Sequence, residues 1–188
     1  MANSKPVPAG DPNLHLPFEV LDAQLQALPP APKDEGRVVA LIARPGSNER
    51  ITHERARLTV TGGMPQDRWS EKRSPKPSQQ LATMRGAVAA LIANGQGLSM
   101  FGDNLFLDLD LSTPNLPAGT RLRAGSALLE VTPEPHDGCR KFKARFGSGA
   151  LRLVSHKQTR DRNLRGIYLK VIEDGEVAAG DPVQVIRT

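Results

Sequence analysis

Apolar and polar positions along the chain fall into short runs separated by turn-forming residues. Arg37-Val38-Val39-Ala40-Leu41-Ile42 is an apolar run of strand length, closed by Pro45-Gly46. Arg57-Leu58-Thr59-Val60-Thr61 predicts a second strand, ended by Gly62-Gly63. From Leu105 to Leu111 apolar and acidic residues alternate, the period of a half-exposed strand. Thr120-Arg121-Leu122 and Ser126–Val131, split at Ala124-Gly125, predict a hairpin. Two last strands, Gly166–Ile172 and Pro182–Arg187, flank Asp174-Gly175, a hairpin cue. Helical spacing marks three places. Leu81, Met84, Val88, Leu91 and Ile92 predict a helix over Gln79–Asn94, capped by Ser78 and stopped by Gly95. Residues 139–155 read as helical with a break at Gly147-Ser148-Gly149. Phe18, Leu21, Leu25 and Leu28 form a short helical stripe that ends before Pro29-Pro30.

This order predicts a mainly β domain with a few helices over residues 34–188, preceded by a Pro-rich extension, residues 1–33, whose apolar stripe packs onto it. Short strands with frequent turns favour a closed β-barrel, which also removes exposed strand edges. The 17 glycines and 16 prolines, spread along the whole chain, support the same choice over a helix bundle.

Composition narrows the function. No apolar run reaches the ~20 residues needed to cross a bilayer, and Met1–Pro12 lacks the apolar core of a secretory signal. The single cysteine excludes an intrachain disulfide and fits a reducing compartment, so the expected location is cytoplasmic, with no membrane partner. A net charge of +5 raises nucleic acid as a partner. Yet basic residues are interleaved with acidic ones, aromatics are scarce, and no RNP, zinc-finger or helix-turn-helix pattern occurs, which disfavours it. The charge suits a small anionic ligand, such as a phosphate-bearing cofactor, equally well. Walker, Gly-x-Gly-x-x-Gly, Gly-x-Ser-x-Gly and HExxH patterns are absent.

Cys139 is the first candidate for chemistry. It follows the loop Pro135-His136-Asp137-Gly138 and precedes Arg140, Lys141 and Lys143. Thiolate is the reactive form, and cations and helix N-termini favour it; an inert buried cysteine is the competing reading. His136, three residues earlier, can act as a base or orient a ligand, or be a loop histidine without a role. A His-x-x-Cys pair is too sparse for a structural zinc site. A second constellation is Gly62-Gly63-Met64-Pro65-Gln66-Asp67-Arg68-Trp69. Its glycines can turn backbone N–H groups toward an anion and Arg68 can fork onto phosphate, while an Asp–Arg-held corner explains it as well. Gly102-Asp103-Asn104 reads as turn chemistry at the mouth of a strand, and Arg165 can point into a pocket or simply end a strand.

Taken together, these segments resemble the MOSC domain family, named after the C-terminal domain of molybdenum cofactor sulfurases. Gly36-Arg37-Val38, Asp67-Arg68-Trp69, Gln79 or Gln80, Gly102-Asp103-Asn104-Leu105, and Leu116-Pro117-Ala118-Gly119 with Arg123-Ala124-Gly125 follow in the family's order. His136–Phe142, Arg165-Gly166-Ile167-Tyr168 and Gly175–Val183 complete the series, so the match covers about residues 36–187. The resemblance implies a barrel related to the pyruvate kinase barrel domain. It also implies a cysteine that carries sulfur or ligates the molybdenum of a pterin cofactor (molybdopterin); some relatives reduce N-hydroxylated compounds with that metal. Carried onto this chain, Cys139 would be the metal or sulfur ligand and a catalytic residue, with His136 and Asp103 beside it handling protons. Asp67, Arg68, Asn104, Arg140, Lys141 and Arg165 would bind the cofactor. Such a protein would draw on a cysteine desulfurase or an electron-donor reductase as partner; the alternative is a binding module that keeps the barrel without the chemistry. Three departures stand out: Gln66 replaces a frequent Gly, Asp103 replaces the Glu of a Gly-Glu-Asn segment, and the cysteine loop lacks the family's arginine.

Overall fold

The computed structural model describes residues 5–6 and 9–187. The Met1–Pro12 segment falls partly, and Thr188 wholly, outside the described residues. Eleven strands are described: β1 (Lys5–Pro6), β2 (Glu35–Ala43), β3 (Glu49–His53), β4 (Arg55–Leu58), β5 (Leu81–Arg85), β6 (Leu105–Asp108), β7 (Arg121–Ala124), β8 (Ala127–Val131), β9 (Ile167–Glu173), β10 (Gly175–Ala178) and β11 (Pro182–Ile186). Three α-helices accompany them: α1 (Phe18–Ala27), α2 (Gly86–Ala93) and α3 (Arg140–Val154).

Seven strands close a barrel in the order β2-β11-β7-β8-β9-β5-β6, with β6 pairing back onto β2. All pairs are antiparallel except β5 and β6, which α2 connects as a crossover. β3 and β1 extend the sheet beyond β2, and β4 pairs with β10 as a separate ribbon. The fold is thus the closed, mainly β barrel expected from the pattern of short strands.

Two apolar clusters hold it. Leu41, Leu81, Leu105, Leu122, Leu129 and Leu169 fill the barrel, each essentially inaccessible. Leu21, Leu25, Met84, Val88, Phe106 and Phe146 form a second cluster where the helices cover one side of the barrel. Burying one such side chain contributes about 1.5–3 kcal/mol, so both faces of the covered wall are strongly fixed.

That double burial corrects one expectation. Residues 79–94 are not one helix: Gln79 ends a 3-10 turn, Leu81–Arg85 is a strand and only Gly86–Ala93 is α-helical. Leu81 points into the barrel while Met84 points under the helices. A strand buried on both faces loses its alternation, and its apolar run merges with the helix that follows. Ser78 does not cap α2; its hydroxyl donates to Glu134 Oε2 (3.3 Å). The helix does stop at Asn94-Gly95, both with positive φ. The second strand starts earlier than its pattern predicts, at Arg55, and gives way to a turn at Thr59–Gly63. Asp174-Gly175 makes no hairpin between the last two barrel strands, because β10 leaves β9 to pair with β4. Gly175 is required there because a Cβ would strike the Ser126-Ala127 backbone.

Candidate functional site

Three segments converge at one end of the barrel: the turn between β2 and β3, the loop 64–78, and the start of α3. The loop is anchored by two buried residues. Trp69 is 4% exposed and donates its indole N–H to Lys76 O (3.0 Å). Asp67 accepts five hydrogen bonds: from Arg44 Nε (2.8 Å), Nη2 (3.1 Å) and backbone N (2.9 Å), from Trp69 N (2.9 Å), and from Asn104 Nδ2 (2.8 Å). Burial opposes its ionisation, but the hydrogen bonds and charge of Arg44, aided by Trp69 and Asn104, win and hold the carboxyl below its ordinary range. Asn104 in turn accepts from Ala82 N (3.1 Å) and donates to Ile42 O (3.1 Å), tying the loop to β2 and β5. Gln66 adopts a left-handed φ of 61° and carries the associated cost.

A second buried set lies behind the first. Arg165 Nη1 donates to both carboxylate oxygens of Asp103 (2.9 Å each), and its guanidinium sits over the Phe142 ring at 5.1 Å. His136 Nδ1 stands 3.6 Å from Asp103 Oδ1, and its ring tilts against Tyr168 at 4.4 Å. Burial, reinforced by the Arg165 charge and only partly offset by Asp103, pushes the His136 pKa down to about 3. His136 is therefore neutral in the native protein at physiological pH.

Between these anchors lies a cleft of about 110 Å³. Cys139 is exposed at its edge and heads α3, its carbonyl accepting from Lys143 N (3.0 Å). Six cations line the cleft: Arg44, Arg50, Arg68, Lys141, Arg145 and Arg165. Arg44 and Arg165 are paired with Asp67 and Asp103. Arg50 donates to Phe101 O (2.7 Å) and Glu49 O (2.7 Å), and Arg145 to Met100 O (2.9 Å). Burial first, then the neighbouring charges of Arg145, Arg44 and Arg68, lower the Arg50 pKa to about 10. Burial also lowers that of Arg145, with Cys139 acting in the opposite direction. The floor is aromatic, with Phe101 stacked on Phe146 at 4.2 Å. Among the described residues, no group of three or more His, Cys, Asp and Glu side chains is placed to hold a metal ion.

The structure thus brings Cys139, Arg68, Lys141 and Arg165 together on one cleft. Asp103 and His136 support it from behind through Arg165. Asp67 and Asn104 stand together, but their polar atoms are spent on protein partners. Arg140 is exposed and does not line the cleft. Arg44, Arg50 and Arg145 were absent from the sequence reading. Arg145 could have been found, since Lys141 and Arg145 are four apart on a segment read as helical, hence on one face. Arg44 and Arg50 meet only through the β2–β3 pairing, which no local pattern announces.

The family model for the MOSC domain matches residues 78–184. No curated protein matches the chain. Several solved structures are similar. The YUAD protein from Bacillus subtilis is 18% identical, with a TM-score of 0.59 over 80% of this chain and 95% of that one. YiiM from Escherichia coli is 21% identical (TM-score 0.52, over 81% of this chain and 70% of that one). YiiM from Geobacillus stearothermophilus is 16% identical (TM-score 0.52, 81% and 75%). At these identities the structures speak for the fold. No described helix is long and apolar enough to cross a membrane. With more than half of its length matched by the family model and a barrel of the same fold, the chain belongs to the MOSC domain family, which is associated with molybdenum-cofactor or sulfur-related functions.

Proposed function

We propose that the cleft holds the phosphate-bearing pterin form of the molybdenum cofactor, with Cys139 as the sulfur ligand of the metal. The observation that carries this reading is the pairing of an exposed thiol with Arg50 and Arg145, two buried guanidiniums that have no carboxylate partner among the described residues. Buried unpaired cations are costly, and a bound phosphate offsets that cost with charge-assisted hydrogen bonds. Thiolate sulfur is a soft ligand of the kind such a metal takes. At about 110 Å³, the cleft accommodates the anionic end of the cofactor, with the rest reaching out past Cys139 at its edge.

The cofactor would supply two-electron chemistry. On N-hydroxylated compounds this is R–NHOH plus two electrons and two protons giving R–NH2 and water, with the electrons drawn from a separate reductase in the cytoplasm. The chain's own part is to bind and orient. Arg50 and Arg145 fix the phosphate, and Asp103 holds Arg165 against Phe142. Neutral His136 completes the packing without adding charge.

The test is molybdenum and pterin quantification in protein purified from a molybdenum-replete host, for the wild type and for Cys139→Ser. Metal and pterin together in the first, and a lower content of both in the second, support the reading; neither present in the wild type rejects it. The exposure of Cys139 favours one alternative, a sulfur carrier loaded by a cysteine desulfurase. Intact mass after incubation with such an enzyme separates the two, since only a carrier gains a sulfur that a thiol reductant removes.

A further inference from the structure

We infer that the cleft is built for two anions at once, and that Arg68 and Lys141 on its rim select substrates carrying a phosphate or carboxylate of their own. This deepens the cofactor reading and rests on it for the identity of the first anion.

The argument is one of charge. Of the six cations on the cleft, Asp67 offsets Arg44 and Asp103 offsets Arg165. Arg50, Arg68, Lys141 and Arg145 remain, and none forms an ion pair with a carboxylate among the described residues. A phosphate monoester carries about −1.5 to −2 at pH 7 and a Cys139 thiolate about −1, so the two together leave roughly one positive charge uncompensated. In a cleft of about 110 Å³ that surplus is left for a second anion; the lowered pKa of Arg50 is due first to burial and then to the neighbouring charges of Arg145, Arg44 and Arg68.

The four cations are also sorted by depth. Arg50 and Arg145 are 8% exposed, and both are fixed on backbone carbonyls of the Met100-Phe101 segment. Arg68 and Lys141 are exposed. Lys141 is nevertheless held: its Nζ donates to Ser47 Oγ at 2.8 Å, so the ammonium reaches from α3 to the β2–β3 turn. Arg68 is placed by its backbone N–H, which donates to Arg44 O (3.1 Å). The rim therefore presents Lys141, held in place, and the exposed Arg68 above an inner pair. The nearby aromatic residues Phe101, Phe142, Phe146 and Trp69 are 1–4% exposed, leaving charge as the means of recognition at the mouth.

The test is a titration of the uniformly 15N-labelled full chain, produced in a host unable to make the cofactor, with inorganic phosphate followed by NMR. Arg50 and Arg145 Nε–H signals should saturate in one step, and Arg68 Nε–H with the Lys141 amide in a second, weaker one. In Arg68→Gln/Lys141→Gln the second step should weaken by about tenfold or more while the first stays within about twofold. Sodium acetate in a parallel arm identifies the second anion: rim shifts with acetate assign a carboxylate substrate, and rim shifts with phosphate alone assign a phosphate ester. A single step that moves all four residues together, or a double variant that keeps both steps, overturns the inference. The cofactor reading fails separately, on absence of molybdenum from the purified wild type.

Discussion

Acidification should destabilise this fold through His136. The ring is 6% exposed, its Nδ1 has no hydrogen-bond partner, and Arg165 occupies both oxygens of the neighbouring Asp103. Its pKa falls from 6.5 to about 3 in the native protein. Between those two values the unfolded chain binds a proton that the native chain refuses, so stability rises with pH across the window and falls on acidification. At pH 5 the native ring is still neutral while the unfolded ring is almost fully protonated, which lowers the unfolding free energy by about 2 kcal/mol relative to pH 8. His53, whose pKa burial also lowers, pushes the same way and must be separated. Urea unfolding of the wild type and His136→Gln at pH 8 and pH 5 does so, because His53 is common to both. The wild type should lose about 2 kcal/mol more than the variant over this interval. Equal losses in the two proteins would refute the buried, neutral assignment.

Asp67→Ala leaves Arg44 without its carboxylate and releases the Trp69 and Asn104 contacts; urea unfolding should show a loss of about 3–5 kcal/mol, with Trp69 emission shifted to the red in the native state. Cys139→Ser, at an exposed position, should change unfolding stability by less than about 0.5 kcal/mol, and the wild-type thiol should alkylate in the native protein without denaturant. Gly166→Ala places a Cβ against the Thr83 carbonyl at a φ of 107°, where β5 meets β9. It should cost at least about 2 kcal/mol in urea and weaken phosphate binding by displacing the adjacent Arg165.

What the sequence disclosed follows the reach of local pattern. β9 and β11 alternate buried and more exposed residues, and such strands are legible because each has one face toward the core. The break in α3 was legible because Gly147 takes a φ of 86°, which other residues resist. β5 was hidden because Leu81 and Met84 serve different cores. Motif resemblance located the cleft through Arg68, Cys139 and Arg165, but it could not separate residues that face a ligand from those that hold the loop. Asp67 and Asn104 proved to be joined to each other and to Arg44, a relation set by strand pairing far apart in sequence. The net charge suited nucleic acid and a small anionic ligand alike; the concentration of that charge on one cleft needed the fold.

The cofactor assignment meets its most direct test in X-ray absorption at the molybdenum edge, recorded on the purified wild type and on Cys139→Ser reloaded with cofactor. The account expects one sulfur ligand fewer around the metal in the variant, with the pterin sulfurs unchanged. Identical sulfur coordination in the two proteins would contradict Cys139 as the ligand, and a wild type that holds no molybdenum would contradict the assignment itself.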